Sequence, residues 1–579
     1  MKKKQEKIII YQLLVRLAGN TVRKNKPWGS IRENGCGKFN DLSERFLEEI
    51  AGLGASHIWL TGIPEHASCT AYPDQEIPAD NPLVVKGRAG SPYAIRDYYD
   101  VCPDLATDVD RRMEEFEALV GRCHSSGLTP LIDFVPNHLA RRYHSDHAEG
   151  VNRQFGRHDN TSVAFSTDNN FYYLPGQALK LPEEVYQHPT SREVFPAGYE
   201  ENPAKATGND CFSAAPSYSD WYETVKLNYG IDYRGKNPSR SGIIPDTLIP
   251  DTWSKMLDIL LFWAGKNIGG FRCDMAEMVP PSFWEWAIGK IREQYPAILF
   301  IAEIYNPAAY NTYSKAGFDY LYDKAGFYDC IRDIIAEKKE AGALTGVWKS
   351  LVGSEGAMLR FVENHDEQRI ASSHFAGNAN AGIPATVAAA CMHQGPLMIY
   401  FGQELGEEAR GISGFSRDDG RTSIFDYCSV PAFRQWFSNG KCTSGNLPAE
   451  AARLRESYKK FLMLCRHPVI SNGNFYDLMW ANPVADKHLY AFIRWDARHT
   501  WIIALNFSGS DNISARIRIP DHFMTISGRK DPASWTCHPL FNEGTPCRII
   551  SKKNTESGLA LILQPFSAEI ISIKSICQE

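Results

Sequence analysis

From the N-terminus to about residue 470, short apolar runs alternate with longer stretches in which apolar residues recur every three or four positions. The short runs have the pattern of buried parallel strands, and the longer stretches that of amphipathic helices covering them. Strands are predicted at Ile8–Val15, His57–Thr61, Thr129–Phe134, Gly270–Asp274, Ile298–Glu303, Phe318–Leu321, Leu359–Val362 and Leu397–Phe401. Helices are predicted between them, for instance over Met113–Cys123, Trp253–Trp263 and Phe283–Glu293. Eight strands in repeated βα units fit an α/β fold, the (β/α)8 TIM barrel, over residues 1–138 and 251–470.

Residues 139–250 break this rhythm, being rich in Asn, Gly, Pro, Tyr and Asp and lacking a sustained helical period. A structureless loop of that length does not suit a compact domain, so an inserted small domain after strand 3 is expected. Barrel active sites lie at the same end of the strands, which would make this insertion one wall of a cleft. After a helical stretch at Ala451–Cys465 the pattern becomes strand, turn, strand, as at His488–Ile493, Thr500–Asn506 and Ile513–Ile519. Residues 471–579 are therefore expected to form a C-terminal antiparallel β-sandwich.

Composition narrows the function classes. With 62 Lys and Arg against 68 Asp and Glu, the net charge of −6 offers no basic field for a phosphate backbone, so nucleic acid is not an expected partner. No run of about 18 apolar residues exists, so no membrane partner is expected. The 14 cysteines are scattered, without a CxxC pair, which suits reduced thiols and a cytoplasmic location. Met1-Lys2-Lys3-Lys4 before Ile8-Ile9-Ile10 is the alternative signal for export, but the apolar run is interrupted by Tyr11, Gln12 and Arg16.

Four predicted strands end in residues that folding does not require: Asp133-Phe134-Val135-Pro136-Asn137-His138, Gly270-Phe271-Arg272-Cys273-Asp274, Ile301-Ala302-Glu303 and Asn364-His365-Asp366. Positions two apart on a strand share a face, so Arg272 lies beside Asp274 and is expected to keep it ionised, as a nucleophile requires. Cys273 points to the opposite face as a small buried hydrophobe. Glu303 follows Ile301 and Ala302 with no cation adjacent in sequence, so desolvation is expected to favour the protonated form of a general acid. One charged and one protonated carboxyl are the pair that glycosidic bond cleavage uses, with Asp366, His138 and His365 contacting sugar hydroxyls.

In order and spacing these four segments resemble the short motifs of the α-amylase family of glycoside hydrolases, and IWLTGI at 58–63 and GPLMIYFGQE at 395–404 match its second and eighth strands. The likeness extends over the barrel, the insertion and the C-terminal sandwich. It implies Asp274 as nucleophile, Glu303 as acid/base and Asp366 as transition-state stabiliser, with Tyr93, His138, Arg272 and His365 around the bound sugar and Asp97 as a structural carboxylate. The mechanism it implies is retention through a covalent glycosyl-enzyme, with the two carboxyl groups about 5–5.5 Å apart. The implied substrate is an α-1,4-linked glucan or maltooligosaccharide. Transfer to another sugar through the same intermediate is the first alternative, and a silent glucan-binding scaffold the second. The scaffold is disfavoured because all three carboxylates are present.

Two departures qualify the likeness. Asn137 fits the family's calcium ligand, but Lys226 in Val225-Lys226-Leu227-Asn228 stands where many α-amylases have an Asp ligand, and resembles neopullulanase and cyclomaltodextrinase relatives. An ammonium cannot ligate Ca2+, so the chemistry is expected to need no cofactor and a structural calcium is disfavoured. Glu277 stands where many amylases carry Lys and is a candidate acceptor-side contact; it also suits the start of the helix near Pro281 for electrostatic reasons alone. His144-Ser145-Asp146-His147 has metal-ligand residue types without further partners at helical spacing and is read as a polar loop. Trp221, Tyr222, Tyr229 and Tyr233 suit packing of the inserted domain, with stacking on sugar rings the alternative.

Overall fold

The computed structural model describes residues 6–145, 154–189, 198–235, 249–411, 414–483, 485–529, 534–542, 548–551 and 558–576. Eight parallel strands form the central sheet: β1 (Ile9–Leu14), β2 (His57–Thr61), β3 (Thr129–Phe134), β4 (Gly270–Cys273), β5 (Leu299–Ala302), β6 (Tyr320–Tyr322), β7 (Met358–Leu359) and β8 (Leu397–Tyr400). Their order around the sheet is 7-6-5-4-3-2-1-8, and a parallel bridge from Arg360 to Leu397 closes β7 onto β8. The expected barrel is therefore present.

Its interior explains why the strands read as they do. Ile10, Trp59, Leu131, Ile301, Tyr322, Leu359, Phe361 and Met398, drawn from seven of the strands and the residues just past β7, form one buried cluster. Alternate positions on the same strands, such as Phe271, Cys273 and Phe300, join the larger cluster between barrel and helices, so Cys273 faces away from the barrel axis as expected. The covering helices bury one stripe each. On the helix Asp251–Ala264 that stripe is Trp253, Met256, Ile259, Leu260 and Trp263, each large apolar side chain contributing roughly 1.5–3 kcal/mol. The helices Arg112–Ser125, Pro281–Gln294 and Ala449–Cys465 extend the predicted ones by one or two residues at their ends.

Two strands differ from expectation by more than one residue at an end. Strand β6 starts at Tyr320 because the Asp319 side chain accepts the Phe300 N–H at 2.8 Å, capping the strand edge. Strand β7 stops at Leu359 because Arg360 meets β8 at one bridge and its side chain turns outward to Asp323.

Between β3 and the helix at Asp251, the described part of the insertion holds two short antiparallel pairs, His138–Ala140 with Thr224–Lys226 and Tyr173–Leu174 with Ala204–Lys205. A second excursion follows β2, where Pro64–His66 pairs with Ile95–Val101; this rim element was not anticipated from the sequence. At the C-terminal end, β9 (Asn474–Asp477), β10 (Leu489–Trp495), β11 (Thr500–Asn506), β13 (Ser534–Pro539), β14 (Arg548–Ser551) and β16 (Ser567–Ile576) form an antiparallel sheet in the order 9-10-11-16-13-14. It shares a core with the pair β12 (Ile513–Ile517) and β15 (Leu559–Leu563), where Ile493, Ile502 and Ile571 meet Ile517 and Leu561. This is the expected β-sandwich. Among the described residues, no helix is long and apolar enough to cross a membrane.

Candidate active site

Inward-facing positions change character as the barrel strands reach their C-terminal ends. On β3, Leu131 is followed two residues later by Asp133; past β5, Ile301 is followed by Glu303; on β4, Gly270 is followed by Arg272 and then Asp274. The pleat keeps each such pair on one face, so the apolar plug at the bottom of the barrel gives way to a charged floor at the top.

Arg272 is the hub of that floor. It is 1% exposed, and its Nη1 lies 2.7 Å from Asp274 Oδ1 and 3.3 Å from Asp133 Oδ1, while Nη2 lies 2.7 Å from Glu303 Oε1. Its Nε donates to Tyr322 Oη at 3.2 Å, and the rings of Trp59, Tyr93 and Tyr322 surround the guanidinium within 5.5 Å. Trp59 Nε1 donates to the other oxygen of Asp133 at 3.0 Å. Three carboxylates therefore share one cation.

Asp274 sits one residue past β4, with its N–H donating to Phe134 O at 2.8 Å and its Oδ2 4.0 Å from His138 Nε2. Met275 next to it is held left-handed (φ 42°, ψ 43°), a costly conformation for a non-glycine residue. That turn aims the Met275 N–H at Glu303 Oε2, 2.7 Å away, and Tyr305 Oη donates to Glu303 Oε1 at 2.7 Å. Glu277 accepts the N–H groups of Tyr305 at 3.2 Å and Asn306 at 3.1 Å, so its carboxylate fixes the loop that carries Tyr305.

Opposite Glu303, Tyr93 stacks on His365 with ring centroids 5.3 Å apart and Oη 2.6 Å from Nε2. Gln12 Nε2 meets the other ring nitrogen at 2.8 Å, and Asp366 Oδ2 lies 3.1 Å from Nε2. The Asp366 side chain is 40% exposed, whereas Asp274 and Glu303 are buried. Trp221 packs 5.2 Å from the His138 ring. The sequence-predicted residues Tyr93, His138, Arg272, Asp274, Glu303, His365 and Asp366 are thus brought together. A surface hollow of about 1470 Å3, lined by Arg410, Arg434, Glu450 and their neighbours, contains none of them.

The electrostatics follow from burying three acids around one base. Burial raises the pKa of Asp274 well above the usual range and the neighbouring Glu303 raises it further, while Arg272 opposes both. Asp133 is pushed up to about 6 by burial, again against Arg272. Asp366 is pushed up to about 7 by burial and then by Glu303. Burial drives His138 down to about 3, helped by Lys226 and Lys86, and drives His365 well below its usual value, helped by Arg272. Both imidazoles are therefore neutral hydrogen-bonding groups at physiological pH, and protons entering the site belong to the carboxylates as a group.

Arg272 was expected to hold Asp274 ionised; its charge is divided among three acids, and it opposes the rise that burial and Glu303 impose on Asp274. Glu303 has no cation adjacent in sequence, but Arg272 reaches it across the sheet because β4 and β5 are paired, with Arg272 opposite Ile301.

At the calcium position, Asn137 Oδ1 accepts from Lys226 Nζ, which also lies 2.8 Å from Asp210 and donates to Met278 O at 3.3 Å. The amide of Asn137 donates to Gly208 O at 2.7 Å and meets His138 Nδ1 at 3.1 Å. An ammonium already occupies the oxygen a calcium ion would need, so these residues do not fit Ca2+. Among the described residues, no group of three or more His, Cys, Asp or Glu is placed to hold a metal. Asp146 and His147 of the His144–His147 segment lie outside the described residues. Tyr222 and Tyr229 are buried packing residues, as the sequence suggested.

Trp59, Gln12 and Tyr305 were not anticipated as site residues. Trp59 and Tyr305 had a legible signal, since one is an inward position within a motif strand and the other stands two residues after the candidate acid. Gln12 had none beyond being a polar residue in an apolar strand.

Residues 29–424 match the model of the alpha amylase catalytic domain, and the chain belongs to the α-amylase family of glycosidic-bond enzymes. An alpha-1,4-glucan:maltose-1-phosphate maltosyltransferase of Cereibacter sphaeroides is 31% identical over 98 residues, which is 16% of each protein. An alpha-amylase of Haloarcula japonica is 23% identical over 412 residues, 70% of this chain and 45% of the relative. Among solved structures, a noncanonic maltogenic alpha-amylase from Thermotoga neapolitana shares the fold with a TM-score of 0.59 and 20% identity, over 98% of this chain and 99% of the other. The matched segments thus span less than half the length of these two curated relatives.

Proposed function

We propose that the protein hydrolyses α-1,4-glucosidic bonds of starch-, glycogen- or maltooligosaccharide-type chains with retention of anomeric configuration. The observation that carries this reading is the pair of carboxyl groups, Asp274 and Glu303, bound to the two terminal nitrogens of one buried guanidinium. That arrangement favours the short separation of roughly 5–5.5 Å used in retention over the wider gap that inversion leaves for a water.

In the first step an Asp274 oxygen attacks the anomeric carbon. The bond from that carbon to the leaving oxygen breaks, and Glu303 delivers its proton to that oxygen. In the second step Glu303 takes a proton from water, whose oxygen displaces Asp274 from the sugar and restores both carboxyl groups. Arg272 orients both acids and balances charge. Asp366 and Tyr93 bind hydroxyl groups of the reacting sugar, and His138 and His365 do so as neutral imidazoles. The reading includes no calcium, because Lys226 supplies the cation at Asn137. It places the enzyme in the reducing cytoplasm, in keeping with buried free thiols such as Cys102, Cys273 and Cys391.

A chromatographic time course of products from maltoheptaose and from glycogen, with the wild type and Asp274→Asn, tests this. Shorter maltooligosaccharides alone, absent with the variant, are expected. Products longer than the heptasaccharide would replace hydrolysis by transfer, the direction in which the maltosyltransferase relative points.

A further inference from the structure

Segments far apart in sequence meet in an aromatic cluster. Trp28 follows β1, His188 and Tyr218 belong to the insertion, and Phe415 follows β8. Ring centroids are 4.7 Å apart between Trp28 and His188, 5.6 Å between His188 and Phe415, and 5.9 Å between Tyr218 and Phe415. Trp28 is held at φ 57°, a left-handed conformation that persists for a bulky residue only where its surroundings fix it.

The cluster is joined to the walls of the site through neighbouring residues. Phe415 packs 5.1 Å from Phe425, whose carbonyl accepts the Ala89 N–H at 3.1 Å, four residues before Tyr93. Tyr218 lies three residues before Trp221, which packs on His138. Lys86 ties the two flanks together, 2.9 Å from Glu223 and 6.0 Å from the Phe415 ring. The chemistry fixes which end of a glucan meets this wall. The leaving sugar must lie beside the proton donor Glu303 and its loop at Tyr305. The sugar attached to Asp274, and everything on its non-reducing side, must lie toward Tyr93 and His138, where the cluster stands.

We propose that this wall closes the non-reducing end of the cleft, so that the enzyme attacks glucans from that chain end and releases one short product of fixed length. The proposal rests on the hydrolytic reading above and specifies its substrate end. The test compares p-nitrophenyl maltoheptaoside with the same compound carrying a 4,6-O-ethylidene cap on its non-reducing glucose, following the first cleavage by chromatography. The capped chain is expected to be cut on the order of 100-fold more slowly, because the cap meets the wall. Trp28→Gly, which suits the left-handed backbone, and Phe415→Ala are each expected to narrow that ratio about tenfold or more. Equal rates on the two chains in the wild type, or a ladder of products from maltoheptaose at first turnover, would overturn the proposal. Cleavage of neither chain would remove the hydrolytic reading instead. Calorimetric binding of capped and uncapped maltoheptaose to Asp274→Asn then decides the closure separately: roughly tenfold or weaker binding of the capped chain upholds it, and equal affinity overturns it.

Discussion

Arg272 and Arg360 are both buried in the barrel wall, each 1% exposed, and their surroundings are opposite in character. Arg360 turns outward, where its Nε meets Asp323 Oδ2 at 2.7 Å and its guanidinium lies 4.5 Å over the Phe327 ring. That is one cation against one anion in a packed apolar layer. Arg272 turns inward at the rim and faces Asp133, Asp274 and Glu303 together. A balanced buried pair fastens structure, whereas one cation shared among several carboxylates leaves burial to raise the proton affinity of Asp133 and Asp274.

Substitutions can break this comparison, the largest expected effect being at the unbalanced centre. Asp274→Asn is expected to lower kcat on maltoheptaose by on the order of 10^4-fold or more, measured by initial rates, with the fold retained by circular dichroism. A residual rate within tenfold of the wild type would remove Asp274 from the chemistry. At the balanced pair, Arg360→Met is expected to leave Asp323 buried and uncompensated, costing about 3–5 kcal/mol in chemical denaturation. The kcat of the molecules that remain folded should change only a few-fold. If Arg360→Met silenced the enzyme at full stability, the contrast between the two guanidinium groups would fail.

Lys226→Met orphans the buried Asn137 oxygen and is expected to cost about 1–3 kcal/mol, while a chelator leaves the melting temperature and activity of the wild type unchanged. A chelator-induced drop in melting temperature would show a metal where the ammonium is placed. Tyr305→Phe removes one donor from Glu303 and is expected to reduce kcat roughly five- to tenfold with KM little changed, since about 1 kcal/mol separates the two states.

The smallest effect sharpens the electrostatic side of the comparison. The Asp366 pKa is raised from an unfolded value of about 3.9 to about 7, so the native state favours its protonated form. That contribution is fully present below about pH 4 and is lost as pH rises through about 7. Asp366→Asn, which cannot ionise, is therefore expected to raise the melting temperature at pH 8 and to leave it unchanged near pH 4. The same shift at both pH values would mean that ionisation of Asp366 does not strain the fold.

Much of the site was readable because barrel chemistry is tied to strand ends. Asp133, Arg272, Asp274 and Glu303 are set by a two-residue pleat and by the end of an apolar run, both visible in one dimension. Asp366 and His365 stand beyond β7, which is only two residues long, so the local motif found them better than the strand pattern did. Gln12 and Trp59 escaped notice because their roles depend on what lies across the barrel, and the same holds for the contact of the Glu277 carboxylate with the loop at Tyr305. The rim excursion of Pro64–His66 and Ile95–Val101 was missed because its short strands lack a run long enough to show a period.

The order of strands, the closed parallel sheet, the appended sandwich and the identities of the candidate acids follow from the sequence alone, because periodicity and strand-end position are local properties of the chain. How the charge of Arg272 is shared, which cation sits at Asn137, and how Trp28, His188 and Phe415 come to stand beside the cleft were decided only by tertiary structure. Those features depend on distances between residues hundreds of positions apart, and electrostatic and ring contacts act through space and not along the backbone.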